Sequence, residues 1–172
     1  MPQVSGEAEA RSRSKCMARA LRLLTMRART EEELKDRLLR LGFADSVVAS
    51  VLARLKELGY LNDMQFARDW ALERIELKGY GRALIRFELI KKGIKPSLVD
   101  EVLEEVFSTV DEFELARHVA TGRSKAYRGM DPETARRRLI SYLARRGFGF
   151  PTIEKVTNEV FSSLLDANGG NK

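Results

Sequence analysis

The residues best suited to chemistry in this sequence are cations. Two positions before each of three glycines, Gly42, Gly93 and Gly147, stand Arg40, Lys91 and Arg145. Near them lie Lys92 and Lys95, the run Arg136, Arg137 and Arg138, and Arg146, while Arg82 and Arg86 are spaced one helical turn apart. Guanidinium forks match carboxylates and phosphates, so this set predicts contact with an anionic partner. A cation at a helix C-terminus also opposes the helix dipole, a gain of roughly 0.3–1 kcal/mol, which accounts for single charges but not for whole clusters. Catalytic groups are scarce. His118 is the only histidine and Cys16 the only cysteine, and neither has companions at metal-ligand or nucleophile–base spacing, so no catalytic residue, metal site or cofactor is expected. Gly79 and Gly81 follow a helical pattern rather than a strand and read as turn residues, not as a phosphate loop. Tyr80 and Tyr127 sit in or near basic loops, where stacking on a base is open to them and packing is the preferred reading. Asp100, Glu101, Glu104 and Glu105 recur at helical spacing and read as a solvated acidic face.

The elements that carry these cations repeat. Leu34, Ile85 and Leu139 fall eight residues before the three glycines, and Leu38, Leu89 and Leu143 four before, which is one apolar helical stripe written three times. Beyond each glycine a second stripe carries Val51, Val102 and Val156, then Leu55, Val106 and Val160. Equivalent points are 51 and 54 residues apart. On such a helix the basic position lies about 200° from the stripe, so the charge faces outward when the stripe is buried.

Capping signals divide the chain further. Thr30 with Glu33 fits a capping box, Asp45 or Ser46, Asn62 or Asp63, and Asp111 fit N-caps, and Pro96, Pro132 and Pro151 fit first-turn positions. Phe66, Ala67, Trp70 and Leu77 share a helical face, and Leu58, Tyr60 and Trp70 are candidate core residues. The resulting expectation is an all-α fold, an elongated array of three tandem three-helix modules at 15–60, 61–110 and 111–165, with flexible tails at 1–14 and 166–172. Lys15 to Arg27 forms the first helix, and Asn168 to Lys172 frays.

Bulk properties agree with a soluble, partner-binding protein. The net charge is +6 and the sequence pI about 9.6. Residues 1–60 hold 12 basic against 8 acidic side chains and residues 111–150 hold 9 against 5, so positive charge concentrates in two parts of the chain. That balance suits an anionic surface but does not separate nucleic acid from acidic protein. The polar N-terminal stretch lacks a secretory signal pattern, and a single cysteine forms no internal disulfide, so a reducing cytoplasm is the expected location.

The stretch from Gly59 to Ile94, GYLNDMQFARDWALERIELKGYGRALIRFELIKKGI, resembles the central signature of the RecX family, regulators of the RecA recombinase, through Gly59, Tyr60, Leu61, Asp63, Phe66, Ala67, Arg74, Gly79, Gly81, Ile85, Glu88, Leu89, Gly93 and Ile94. The stretch from Ala20 through Arg29, Thr30, Glu33, Leu34, Leu38 and Gly42 is similar to the first module of that family, and RRRLISYLARRGF to the third. The likeness covers about residues 15 to 165. It departs most in the third module, where Thr152 and Thr157 replace apolar residues and the loop from Gly122 to Met130 is extended. The resemblance implies tandem three-helix modules that bind in the groove of a RecA filament on DNA and modulate, generally inhibit, its ATPase and recombinase activities in DNA repair, homologous recombination and the SOS response. The expected partner is the RecA filament, with weak, sequence-independent contact to single- or double-stranded DNA, and the protein is expected to be a non-enzymatic monomer. The alternative is a direct DNA-binding protein of helix-turn-helix-like modules that acts without RecA.

Overall fold

The computed structural model describes the backbone of residues 3–169 and the side chains of residues 6–162. Among the described residues it is all helical: α1 (Gln3–Met26), α2 (Glu31–Arg40), α3 (Asp45–Glu57), α4 (Asp63–Glu73), α5 (Arg82–Lys91), α6 (Pro96–Thr109), α7 (Glu112–Ser124), α8 (Pro132–Arg145) and α9 (Phe150–Gly169). A π-helical turn, Arg74–Lys78, follows α4, and a 3₁₀ turn, Lys125–Tyr127, follows α7.

The repeated stripes are the core. Leu34, Ile85 and Leu139 are fully buried, as are Leu38, Leu89 and Leu143, and Val51, Val102 and Val156. Each first stripe ends in the same hydrogen-bonded turn. The N–H of Phe43 reaches the carbonyl of Leu38, Ile94 reaches Leu89, and Phe148 reaches Leu143, at 3.4, 3.3 and 3.3 Å, with Gly42, Gly93 and Gly147 at φ of +88°, +85° and +86° between them. A left-handed residue closes this turn, and glycine alone enters that region without a Cβ penalty.

Backbone contacts group into two compact units, one of Met1–Ala67 with Leu89–Val99, the other of Arg68–Glu88 with Asp100–Lys172. In the first, α1, α2 and α3 pack pairwise around Cys16, Ala20, Leu23, Leu34, Leu38, Val48, Val51 and Leu55. In the second, α7, α8 and α9 enclose Ala116, Ala120, Leu139, Leu143, Phe148, Ile153 and Val156. The cleavage between units passes through the middle repeat, so α5 and α6 each contribute residues to both.

Several local expectations need correction. α1 begins at Gln3, well before Lys15; Glu7, Ala8, Glu9 and Ala10 are good helix formers, and Arg13 pairs with Glu9 at 3.2 Å one turn away, so residues without an apolar stripe still extend the helix. The expected tails reach outside the described residues at Met1–Pro2 and beyond Gly169. α3 is preceded by Ala44, which makes no side-chain cap, and Asp45 is its first residue. α9 starts at Phe150 rather than Pro151. Leu58 and Tyr60 are not core: they lie on the turn that leaves α3, where Tyr60 N–H bonds the Leu55 carbonyl, and Leu61 takes the buried place instead. Leu77 is 71% exposed, because the buried stripe of this helix runs through Ala67, Ala71 and Ile75 at four-residue spacing and Leu77 lies off it.

Candidate partner-binding surface

The predicted cations divide between the two units and fall into three physical situations. In the first unit, Lys92 is a structural residue. Its ammonium lies 3.0 Å from Glu33 and 5.5 Å from the Phe66 ring centroid, and its carbonyl accepts the Thr30 hydroxyl at 2.7 Å. Thr30 meanwhile accepts the Glu33 N–H at 3.1 Å, so one capping box both starts α2 and fastens it to the end of α5. Glu33 also takes Arg27 at 2.9 Å. Burial alone pushes the Glu33 carboxyl upward, but the hydrogen bonds from Arg27 and Lys92 outweigh it and hold the group below its ordinary range. Gly93 belongs to the same joint, since a Cβ there would meet the Glu32 Cβ at 2.5 Å. By contrast Arg40, Lys91 and Lys95 are exposed; Arg40 faces Asp36 at 3.9 Å, and Lys91 and Lys95 have no ion pair among the described residues.

In the second unit, Arg82 and Arg86 do not extend a free patch. Arg86 grips Asp100 through Nε at 2.6 Å and Nη2 at 3.2 Å, and Arg82 reaches Glu104 at 3.0 Å and the Leu103 carbonyl at 3.3 Å. Arg68 adds a third fork, to Glu105 at 3.1 and 2.6 Å. The acidic run on α6 is therefore the counter-surface of three arginines rather than a merely solvated face. The Arg86 hydrogen bonds hold the Asp100 carboxyl below its usual range.

The third situation is on α8. Arg136, Arg137, Arg138 and Arg145 are exposed, and none has an ion pair among the described residues; Arg136 donates to the Asn158 side chain. Arg146 is half-buried, donates to the Lys78 carbonyl, and lies over two rings, Tyr80 at 5.6 Å and Tyr142 at 4.9 Å. Its backbone takes part in a second joint. Gly81 N–H donates to the Arg146 carbonyl at 2.8 Å and Ala83 N–H to the Gly147 carbonyl at 3.1 Å, so orphan donors at the start of α5 meet orphan acceptors at the end of α8. A Cβ on Gly81 would lie 2.6 Å from the Gly147 oxygen, and one on Gly147 2.3 Å from the Leu84 nitrogen.

Two groups of residues escape the pattern of repeated charge. Arg123, exposed, stacks over Tyr142 at 4.9 Å and Tyr127 at 5.5 Å and donates to the Tyr127 hydroxyl at 3.2 Å. Tyr127 is buried, so its packing reading stands. The spacing of Arg123 to Tyr127 and of Tyr142 to Arg146, four residues each, was the available signal. The other group is Trp70, Arg74 and Glu88. Glu88 Oε2 accepts the indole N–H at 2.8 Å and Arg74 Nε at 3.0 Å, while the Arg74 guanidinium covers the Trp70 ring at 3.7 Å. Trp70 is thus half-buried and polar at its edge rather than a plain core residue.

Chemically the surface can bind anions. His118 is exposed, and Cys16 is buried, which pushes its thiol upward and away from the reactive thiolate. Among the described residues no three or more His, Cys, Asp or Glu side chains converge to hold a metal ion, and no helix is long and apolar enough to cross a membrane.

Comparison with known proteins agrees along the whole repeat. Family descriptions of the first, second and third three-helix domains of RecX match residues 16–55, 62–103 and 110–157. Regulatory protein RecX of Amycolatopsis mediterranei is 36% identical over 129 residues, covering 73% of this chain and 71% of that one. Regulatory protein RecX of Prosthecochloris aestuarii is 31% identical over 149 residues, covering 87% and 95%. The crystal structure of RecX from Lactobacillus salivarius superposes with a TM-score of 0.79 at 22% identity, covering 88% of this chain and 97% of that one, which supports the fold. The chain belongs to the RecX family.

Proposed function

We propose that this protein binds the RecA–DNA filament and restrains it, lowering its ATPase and recombinase activity in DNA repair and the SOS response. Its relatives are regulatory proteins by name, and the observation that carries the reading here is the outward arginine set of α8, which has no ion pair among the described residues. The filament offers both acidic protein surface and phosphate, and the three modules at 15–60, 61–110 and 111–165 suit a partner that repeats. Engagement of neighbouring protomers limits the motions that ATP turnover and strand exchange require. No catalytic step is assigned to the chain itself. The test is DNA-dependent ATP hydrolysis by RecA with this protein added at substoichiometric amounts. A reduced rate or a shortened filament lifetime is expected; unchanged hydrolysis together with unchanged lifetime rejects the proposal.

A further inference from the structure

The helices that open the first and second repeats carry outward stripes of opposite sign. On α1, Arg11, Lys15, Ala18, Arg22 and Met26 follow one another at spacings of three and four residues, and all are exposed. No acidic residue occurs between Ala10 and Thr30, and Arg11, Lys15 and Arg22 have no ion pair among the described residues. On α4 and the π turn that continues it, Asp69, Leu72, Glu73, Glu76 and Leu77 occupy positions i, i+3, i+4, i+7 and i+8 and are again all exposed, while Ala67, Ala71 and Ile75 face the core. Arg74 is the one cation within this span. It reaches Glu73 at 2.8 Å but is laid over the Trp70 ring with its side chain only 16% exposed, so the outer surface is carboxylate. Each stripe also carries a large apolar side chain that the fold leaves outside. Met26 is 75% exposed and Leu77 71%, the two highest values among the large hydrophobics of the described residues.

We infer that the two stripes are the two halves of one contact made between copies of this chain, with α1 of one molecule lying against α4 and its π turn on the next. Charge complementarity selects this occupant. An anionic strand would answer the α1 stripe and be repelled by the α4 stripe, and a basic partner the reverse, whereas a second copy satisfies both. Met26 and Leu77 supply the apolar centre and the charges supply the rim, which is the anatomy of a protein interface. The shared length is short. Asp69 to Leu77 spans about 12 Å by the helical rise, against about 22 Å for Arg11 to Met26, so the contact is of the small, transient class, and the monomer expected from the sequence is its dilute state. Because the two faces differ, every copy offers both, and the contact propagates head to tail. A partner that repeats, as in the function proposed above, is then loaded in runs rather than at scattered positions. The contact between copies does not itself depend on that reading.

The test is sedimentation velocity of the full chain at concentrations up to about 100 µM in about 0.1 M salt, where charges more than about 10 Å apart are screened and the net +6 of each copy no longer holds the copies apart. The sedimentation coefficient of the wild type is expected to rise with concentration and to return to the monomer value at about 0.5 M salt, where facing charges are screened as well. Lys15→Glu/Arg22→Glu and Asp69→Lys/Glu76→Lys are each expected to stay monomeric. The chain that carries all four substitutions has the signs exchanged and is expected to associate again, as is an equimolar mixture of the two double variants. Circular dichroism melts verify that each variant folds. A wild type that is monomeric throughout, association unchanged by either reversal, or no recovery on exchange overturns the inference. Binding of a labelled oligothymidylate and ATP hydrolysis by RecA, measured in parallel, separate the other occupants. If reversal on α1 lowers only DNA affinity, or reversal on α4 alters only the effect on RecA, and self-association is unchanged, the stripe belongs to that other partner and the inference fails. A wild type that self-associates yet leaves RecA unaffected rejects only the filament proposal.

Discussion

Thr157 carries the clearest single-residue consequence. It is fully buried in the core of α7, α8 and α9, and its hydroxyl has no hydrogen-bond partner among the described residues. The equivalent positions ten residues after the other two glycines are Leu52 and Leu103, both buried. An unsatisfied buried hydroxyl costs about 1–3 kcal/mol, so Thr157→Val, nearly the same shape without the polar atom, is expected to stabilise the protein by about 1 kcal/mol, read as a higher midpoint in thermal unfolding. Glu33 gives a pH-dependent case. Its folded-state pKa lies below the unfolded one, so its contribution is present above the ordinary glutamate value and is lost as pH falls through the folded value. Glu33→Gln is therefore expected to unfold at lower urea than the wild type at pH 7 and to match it more closely in strong acid; an equal gap at both pH values argues against the ion pairs. Asp63 has the opposite sign. Burial raises its pKa against the hydrogen bond it accepts from the Glu31 N–H at 2.8 Å, so its charge opposes folding as pH rises through that value.

At the scale of the element, the three glycines are alike in sequence and unlike in surroundings. Gly42 has nothing within 4 Å of an added Cβ, Gly93 would meet the Glu32 Cβ at 2.5 Å, and Gly147 would meet the Leu84 backbone at 2.3 Å. Gly42→Ala is expected to cost about 1 kcal/mol from its positive φ alone, and Gly147→Ala at least about 2 kcal/mol more because backbone must move. Comparable losses in calorimetry contradict the close joint at α8. These glycines also show what was legible beforehand. Period, stripe and terminating glycine are local properties, and they located the helices and buried leucines. Whether a helix end abuts another helix depends on residues 50 or more positions away, as with Gly93 and Glu32 or Gly147 and Leu84, and no local pattern holds that information. The same limit explains the cations: Arg82, Arg86 and Lys92 read like Arg138 and Arg145 in sequence, and only the fold reveals which ones have carboxylates opposite. The π turn at Arg74–Lys78 was invisible for a different reason, since its residues are ordinary helix formers and nothing in their spacing marks a wider turn.

At the scale of the whole molecule, sequence repeats and compact units do not coincide. The repeat divides the chain in three, the contacts divide it in two, and the middle repeat is shared. Each unit is built from two separated stretches of chain, Met1–Ala67 with Leu89–Val99 and Arg68–Glu88 with Asp100–Lys172. During synthesis the polypeptide emerges from its N-terminus, so the first unit has to wait for Leu89–Val99 before it can close, while Arg68–Glu88 is already out and still lacks the partners translated after it. A nascent chain halted when Val99 has just left the ribosome would then hold one finished unit and one unmatched segment, and limited proteolysis of such stalled chains would cut first within 68–88.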